Sequence, residues 1–227
     1  AVSVSTVAGR CRGWALAALA ALASAAPVGA ASLDWNGSAS STWTDAANWT
    51  LTGGGDGDGI PDADDDVTFP QAATYPSNIV LNGSQAANTL IYSATNTFRL
   101  GLTNEALALT AGHITHNSTC SGGVHTIYCS LSLPATASVW SNGVTGDGRA
   151  DTQADKGLMI YGQVSGSGQV IIRGNATMFT ATLGASNSLS GGIIVDGGGW
   201  LGVRASGALG VGSVVISNGD LLFYGAT

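Results

Sequence analysis

Ile193-Ile194-Val195-Asp196-Gly197-Gly198-Gly199-Trp200-Leu201-Gly202-Val203 is answered 21 residues later by Val214-Val215-Ile216-Ser217-Asn218-Gly219-Asp220-Leu221-Leu222-Phe223-Tyr224, and the two runs align without a gap. A looser copy, Val170-Ile171-Ile172-Arg173-Gly174-Asn175-Ala176-Thr177-Met178-Phe179, lies 23 residues before the first. Each unit reads as strand, turn, strand. Three β-branched or aliphatic residues run together, a Gly/Asn pair supplies the positive-φ positions of a tight turn, and a second apolar run follows. A unit this small cannot bury its own apolar side, so it must stack on its neighbours, which makes it a coil of a solenoid. The expectation is an all-β chain folded as a right-handed parallel β-helix.

Composition supports that reading. Charged residues make up 9% of the chain, with 34 glycines, and no stretch after the leader keeps apolar spacing at i, i+3, i+4 for three turns. The 44% hydrophobic content places the chain far from the disordered class. Net charge is −7, and falls to −9 when Arg10 and Arg12 leave with the leader. Nucleic acid is excluded as a partner, because a phosphate backbone demands clustered Lys and Arg that are not here.

Residues 1–31 have the layout of an export signal. Arg10 and Arg12 flank an apolar run from Trp14 to Ala23, and Val28-Gly29-Ala30 is a small-residue cleavage motif, so cutting after Ala30 or after Ala31 fits equally. The apolar run is too short for a membrane span. An exported protein on the cell surface or outside the cell follows, with no membrane span in the mature part. Residues 32–70 form a Trp-rich cap with an acidic loop, 71–157 irregular early coils and 158–227 regular repeats, read as the start of a longer protein. In the early coils, short apolar runs recur at Ile79-Val80-Leu81, Leu90-Ile91-Tyr92, Phe98-Arg99-Leu100, Leu107-Ala108-Leu109 and Ile127-Tyr128, with turn signals between them. The rival is an antiparallel sandwich.

The cap holds Trp35, Trp43 and Trp49 in the pattern Asp34-Trp35-Asn36-Gly37, then Trp43-Thr44-Asp45-Ala46-Ala47-Asn48-Trp49, then Asp65-Asp66-Val67-Thr68-Phe69. Together with Val124-His125-Thr126-Ile127, Leu131-Ser132-Leu133, Gly162 to Gly168, Ser190 to Gly198 and Gly207 to Gly212, this resembles the N-terminal region of bacterial surface proteins built from autotransporter-associated β-strand repeats. One departure is Leu189, where that family usually carries an aromatic. The resemblance implies a passenger-type protein with an adhesive or structural role, meeting surface glycans or other cell-surface components. The tryptophans then cover the open end of the solenoid, or alternatively form a platform on which sugars stack.

Chemistry-bearing residues are few. Cys120 and Cys129 are the cysteines beyond the leader, and an exported pair points to a disulfide; free thiols, and zinc with His113, His116 and His125, are the alternatives. No nucleophile–base motif is present, and no catalytic residue is assigned. A carbohydrate-active β-helix enzyme of the polysaccharide lyase or glycosidase type, or a carbohydrate-binding module, is the alternative function. Its acid/base groups would come from Asp147, Arg149, Asp151, Asp155 and Lys156, which also read as a solvated loop. The segment Asp56-Gly57-Asp58-Gly59-Ile60-Pro61-Asp62-Ala63-Asp64-Asp65-Asp66 resembles a thrombospondin type 3 calcium loop. That resemblance implies Ca²⁺ held by Asp56, Asp58, Asp62 and Asp65, and the other reading is an acidic surface loop.

Overall fold

A computed structural model of the chain describes residues 30–55, 57–71, 73, 75–117, 124–142, 157–174 and 181–224. In chain order the first strands are β1 (Ala31–Trp35), β2 (Trp49–Gly54), β3 (Asp66–Phe69), β4 (Asn78–Ile79), β5 (Ser84–Tyr92), β6 (Arg99–Leu100) and β7 (Ala106–His116). Next come β8 (Val124–Ile127), β9 (Ser130–Ser132), β10 (Ser138–Asn142), β11 (Gly157–Ile160), β12 (Val164–Gly166) and β13 (Val170–Arg173). The last are β14 (Ala181–Leu183), β15 (Ser188–Leu189), β16 (Ile193–Asp196), β17 (Gly199–Val203), β18 (Val214–Ile216) and β19 (Gly219–Phe223).

These strands stack as a β-solenoid of about six turns. One stack runs β1, β3, β5, β7, β10, β13, β16, β18, and a second runs β4, β6, β8, β11, β14, β17, β19. A shorter third stack uses the first halves of β5 and β7, then β9, β12 and β15. Among the described residues every strand pairing is parallel except that of β1 with β2, which rules out the antiparallel sandwich. In the first stack the pairing crosses residue 70 through β3 and β5 and residue 157 through β10 and β13. The three segments expected after the leader therefore share one stack.

The sequence offsets become strand registers. Val170 pairs with Ile193, and Ile193 with Val214, the 23- and 21-residue spacings of the repeat. Along the first stack Leu33, Val67, Leu90, Ile114, Trp140, Ile172 and Val195 fall on one inward ladder, and each is buried. Each aliphatic rung contributes roughly 1.5 to 3 kcal/mol of burial. Alternation settles the inward face: Ile193 and Val195 point into the core, and Ile194 lies on the outer side between Ile171 and Val215.

One expectation is corrected in detail. The gapless alignment sets Leu201 over Leu222, but β17 pairs Leu201 with Leu221, an offset of 20. Gly197 and Gly198 turn into β17 at φ 57° and 78°, with three residues between the paired positions Val195 and Gly199, whereas only two lie between Ile216 and Gly219, and neither Asn218 nor Gly219 has a positive φ. In a strand one residue of slip exchanges the inner and outer faces, so the turn length decides what is buried.

Backbone closeness fixes the corners. A Cβ on Gly168 would stand 1.9 Å from the Thr136 carbonyl oxygen, and one on Gly191 would stand 2.3 Å from the Gly168 carbonyl carbon. These glycines serve close approach between coils, since neither has a positive φ.

Candidate functional site

The tryptophans of the N-terminal block pack into the end of the stack. Trp35 and Trp43 are fully buried and Trp49 nearly so. Trp49 meets Trp35 edge-on at 5.1 Å and Trp43 at 4.8 Å, and its indole N–H donates to the Trp43 carbonyl at 2.7 Å. Asn48 ties the loop between β1 and β2. Its Oδ1 accepts from the Ala39 and Ser40 N–H groups, and its Nδ2 donates to the Ser40 hydroxyl and the Thr42 carbonyl. Buried ring faces cannot serve as a sugar platform. The aromatic packing continues inward through Phe69, Tyr92 and Phe98.

Beside this cap lies the acidic loop. Asp58 is exposed and turns its Oδ1 back onto the Ile60 N–H at 2.9 Å, and Asp62 does the same to the Asp64 N–H at 3.2 Å. Asp65 has no solvent exposure; its Oδ1 accepts from the Ala31 N–H at 2.7 Å and its Oδ2 from the Asp62 N–H at 3.0 Å. The carboxylates that converge are those of Asp62, Asp64 and Asp65, with ligand oxygens within 4.8 Å of one another. Asp58 is not one of them, and Asp56 lies outside the described residues. The Asp62 carboxylate, hydrogen-bonded to Asp64, raises the Asp64 pKa. Asp66 is turned elsewhere, its Oδ1 accepting from Asn88 Nδ2 and the Thr89 hydroxyl of the next coil. A hard cation needs six to eight oxygens. Asp62 and Asp64 offer exposed carboxylates here, whereas both oxygens of Asp65 already hold backbone in place.

The histidines separate. His113 faces outward and its Nδ1 accepts the Val139 N–H at 2.9 Å. His116 and His125 meet inside the core, Nε2 to Nδ1 at 3.0 Å, and His125 Nε2 lies 2.9 Å from the Asn96 carbonyl. A carbonyl can only accept, so His125 Nε2 carries a proton, and in the neutral ring Nδ1 accepts from His116 Nε2. Burial, and for His116 the neighbouring ring, lower the pKa values to about 3 for His116 and about 4 for His125. Cys129 is buried, and burial pushes its thiol up to about 12. Its expected disulfide partner Cys120 lies outside the described residues.

Two buried polar residues escaped the sequence reading. Glu105, the chain's single glutamate, accepts three backbone N–H groups: Leu81 at 3.0 Å and Leu102 at 2.8 Å through Oε2, and Asn82 at 2.7 Å through Oε1. Asn187 accepts the Val164 N–H at 2.7 Å on one side and donates to the Ala208 carbonyl at 2.6 Å on the other. Each clamps neighbouring coils at a corner where the strand ladder lapses. The signal available for Glu105 was its isolation as a lone acid between turn residues and an apolar run; Asn187 resembles the many turn asparagines around it.

On the outer side of the second stack Tyr128 and Tyr161 stack at 5.2 Å with 27° between their planes, and the Arg99 guanidinium lies 5.3 Å from the Tyr128 ring. Tyr161 is exposed. The cluster Asp147, Arg149, Asp151, Asp155 and Lys156 lies outside the described residues, as do residues 1–29. No described helix is long and apolar enough to cross a membrane. Neither a family model, nor a curated protein, nor a solved structure matches the chain.

Proposed function

We propose that the chain is an exported, surface-displayed β-solenoid of the passenger type with an adhesive or structural role. The observation that carries this reading is the stack itself. Coil after coil pairs in register, with buried aliphatic rungs and the end of β1 sealed by tryptophans, and such a rod holds its outer faces at fixed spacing. The leader-like residues 1–31, the acidic balance and the resemblance to autotransporter-associated repeats point the same way.

A second reading, contact with glycans, is favoured by the Tyr128–Tyr161 stack with Arg99 beside it on an outer face, since a guanidinium next to an exposed tyrosine offers hydrogen-bond donors to sugar hydroxyls. Both readings are tested by displaying the full chain on bacterial cells and measuring protease-sensitive surface protein, cell adhesion and binding to a polysaccharide panel. Adhesion that is lost on shaving the surface supports the first reading, and binding that is lost in Tyr161→Ala supports the second. Release of reducing sugar or unsaturated uronate from the panel would replace both with the enzyme alternative.

A further inference from the structure

The two cleavage positions that fit the leader equally, after Ala30 and after Ala31, are not equivalent in the fold. Ala30 is exposed, whereas Ala31 is the first residue of β1 and is 3% exposed. Its pairing with Gly54 is the last rung of the β1–β2 ladder. The Ala31 nitrogen stands 2.7 Å from Oδ1 of Asp65, a carboxylate with no exposure whose other oxygen holds the Asp62 N–H.

Cutting after Ala31 would remove that donor and leave Oδ1 buried without it, a costly arrangement for a charged acceptor. Cutting after Ala30 keeps β1 whole and converts the same nitrogen from an amide into an ammonium. The hydrogen bond from a neutral amide then becomes an ion pair at the same place. The bond broken is the Ala30–Ala31 peptide, hydrolysed by water. The leader takes the carboxylate, and Ala31 takes the amine, which protonates.

We propose that the mature protein begins at Ala31 and that its α-ammonium pairs with the buried Asp65 carboxylate, locking the first strand onto the acidic loop. The proposal rests on the export reading, and its test separates the two. The full chain is expressed in a bacterial host and its exported fraction is analysed by intact mass and N-terminal sequencing. Ala31 as first residue is the expected result. A first residue of Ser32, or any other, with export intact overturns the proposal alone; an uncut chain retained inside the cell overturns the export reading and the proposal with it.

The ion pair is tested on two mature chains released from fusions that leave no extra residue, one beginning at Ala31 and one retaining Ala30. Both keep the Ala31 nitrogen, but only the first places a charge on it. Retaining Ala30 is expected to lower Tm by about 2 to 4 °C, and to make no difference in Asp65→Asn, where the carboxylate is gone. Equal Tm values for the two chains with Asp65 intact overturn the pair. Should Asp65→Asn fail to fold, protection of the α-amine from an amine-reactive reagent decides: slow labelling at Ala31 against fast labelling at a retained Ala30 is expected, and equal labelling refutes it.

Discussion

Removing the Glu105 carboxylate is expected to open the corner between β4 and β5. In Glu105→Ala three backbone N–H groups lose their acceptor at once. Leu81 is completely buried, so its N–H cannot turn to water and costs about 1 to 3 kcal/mol unpaired. Asn82 and Leu102 are exposed, and each loses only the net value of a hydrogen bond to a charged group, reduced by the water that replaces it, or about 0.5 to 1.5 kcal/mol. The sum, about 2 to 6 kcal/mol, is a large share of the roughly 5 to 15 kcal/mol that holds a domain together. Glu105→Gln keeps the shape and one oxygen and should fall between the native chain and the alanine variant. Urea unfolding followed by far-UV circular dichroism measures this, with the slope m checked for constancy. An alanine variant within about 0.5 kcal/mol of native, the range of an ordinary surface change, would show that this side chain does not substitute for the missing strand ladder.

Other perturbations have equally definite outcomes. Gly191→Ala would set a methyl 2.3 Å from the Gly168 backbone, so the coils must part, and a drop in Tm of several degrees is expected where the same change at the open Gly55 leaves it unaltered. Because His116 and His125 stay neutral in the fold down to about pH 3 and 4, the unfolded chain alone takes up their protons below its pKa of about 6.5; stability is therefore full above that pH and is lost as pH falls towards 4, with a slope approaching about 2.7 kcal/mol per pH unit. Denaturant midpoints measured between pH 7 and 4.5 check this, and His116→Gln should flatten the slope. Calcium titration by calorimetry is expected to give the same heat in the native chain and in Asp58→Ala, since Asp58 is not among the converging carboxylates; a lower heat in that variant would restore the ligand set read from the sequence.

The fold was legible because its signal is periodic. The β-branched triplets at 170, 193 and 214 stack on one another, and the apolar runs Ile79-Val80-Leu81, Leu90-Ile91-Tyr92 and Leu107-Ala108-Leu109 fall on described strands or at their ends. Less was readable where a single residue decides. The span from Ile216 to Gly219 is one residue shorter than that from Val195 to Gly199, which leaves the strand pattern intact while changing which leucine lies above Leu201. Similarly, Asn-Gly turn signals anticipate the positive φ at Asn82 and Gly83, but nothing distinguishes Gly191, whose role is closeness to a backbone 23 residues earlier. At the acidic loop the sequence shows the density of charge but not its direction. Asp65 turns inward to hold β1, Asp66 turns outward to hold β5, and Asp62 and Asp64 remain facing each other. Direction in a loop depends on neighbours distant in the chain, which local spacing does not encode.

Whether parallel coils stack with a fixed inner and outer face is decided at three consecutive residues of β16. Ile193 and Val195 are buried on the inner ladder and Ile194 lies between them on the outer side. Replacing each in turn by Asp and measuring urea unfolding should cost about 3 to 5 kcal/mol, or abolish folding, at Ile193 and Val195, where an unpaired charge would be buried, and about 1 kcal/mol or less at Ile194. Equal losses at all three positions, or the largest loss at Ile194, would contradict the stacked-coil register.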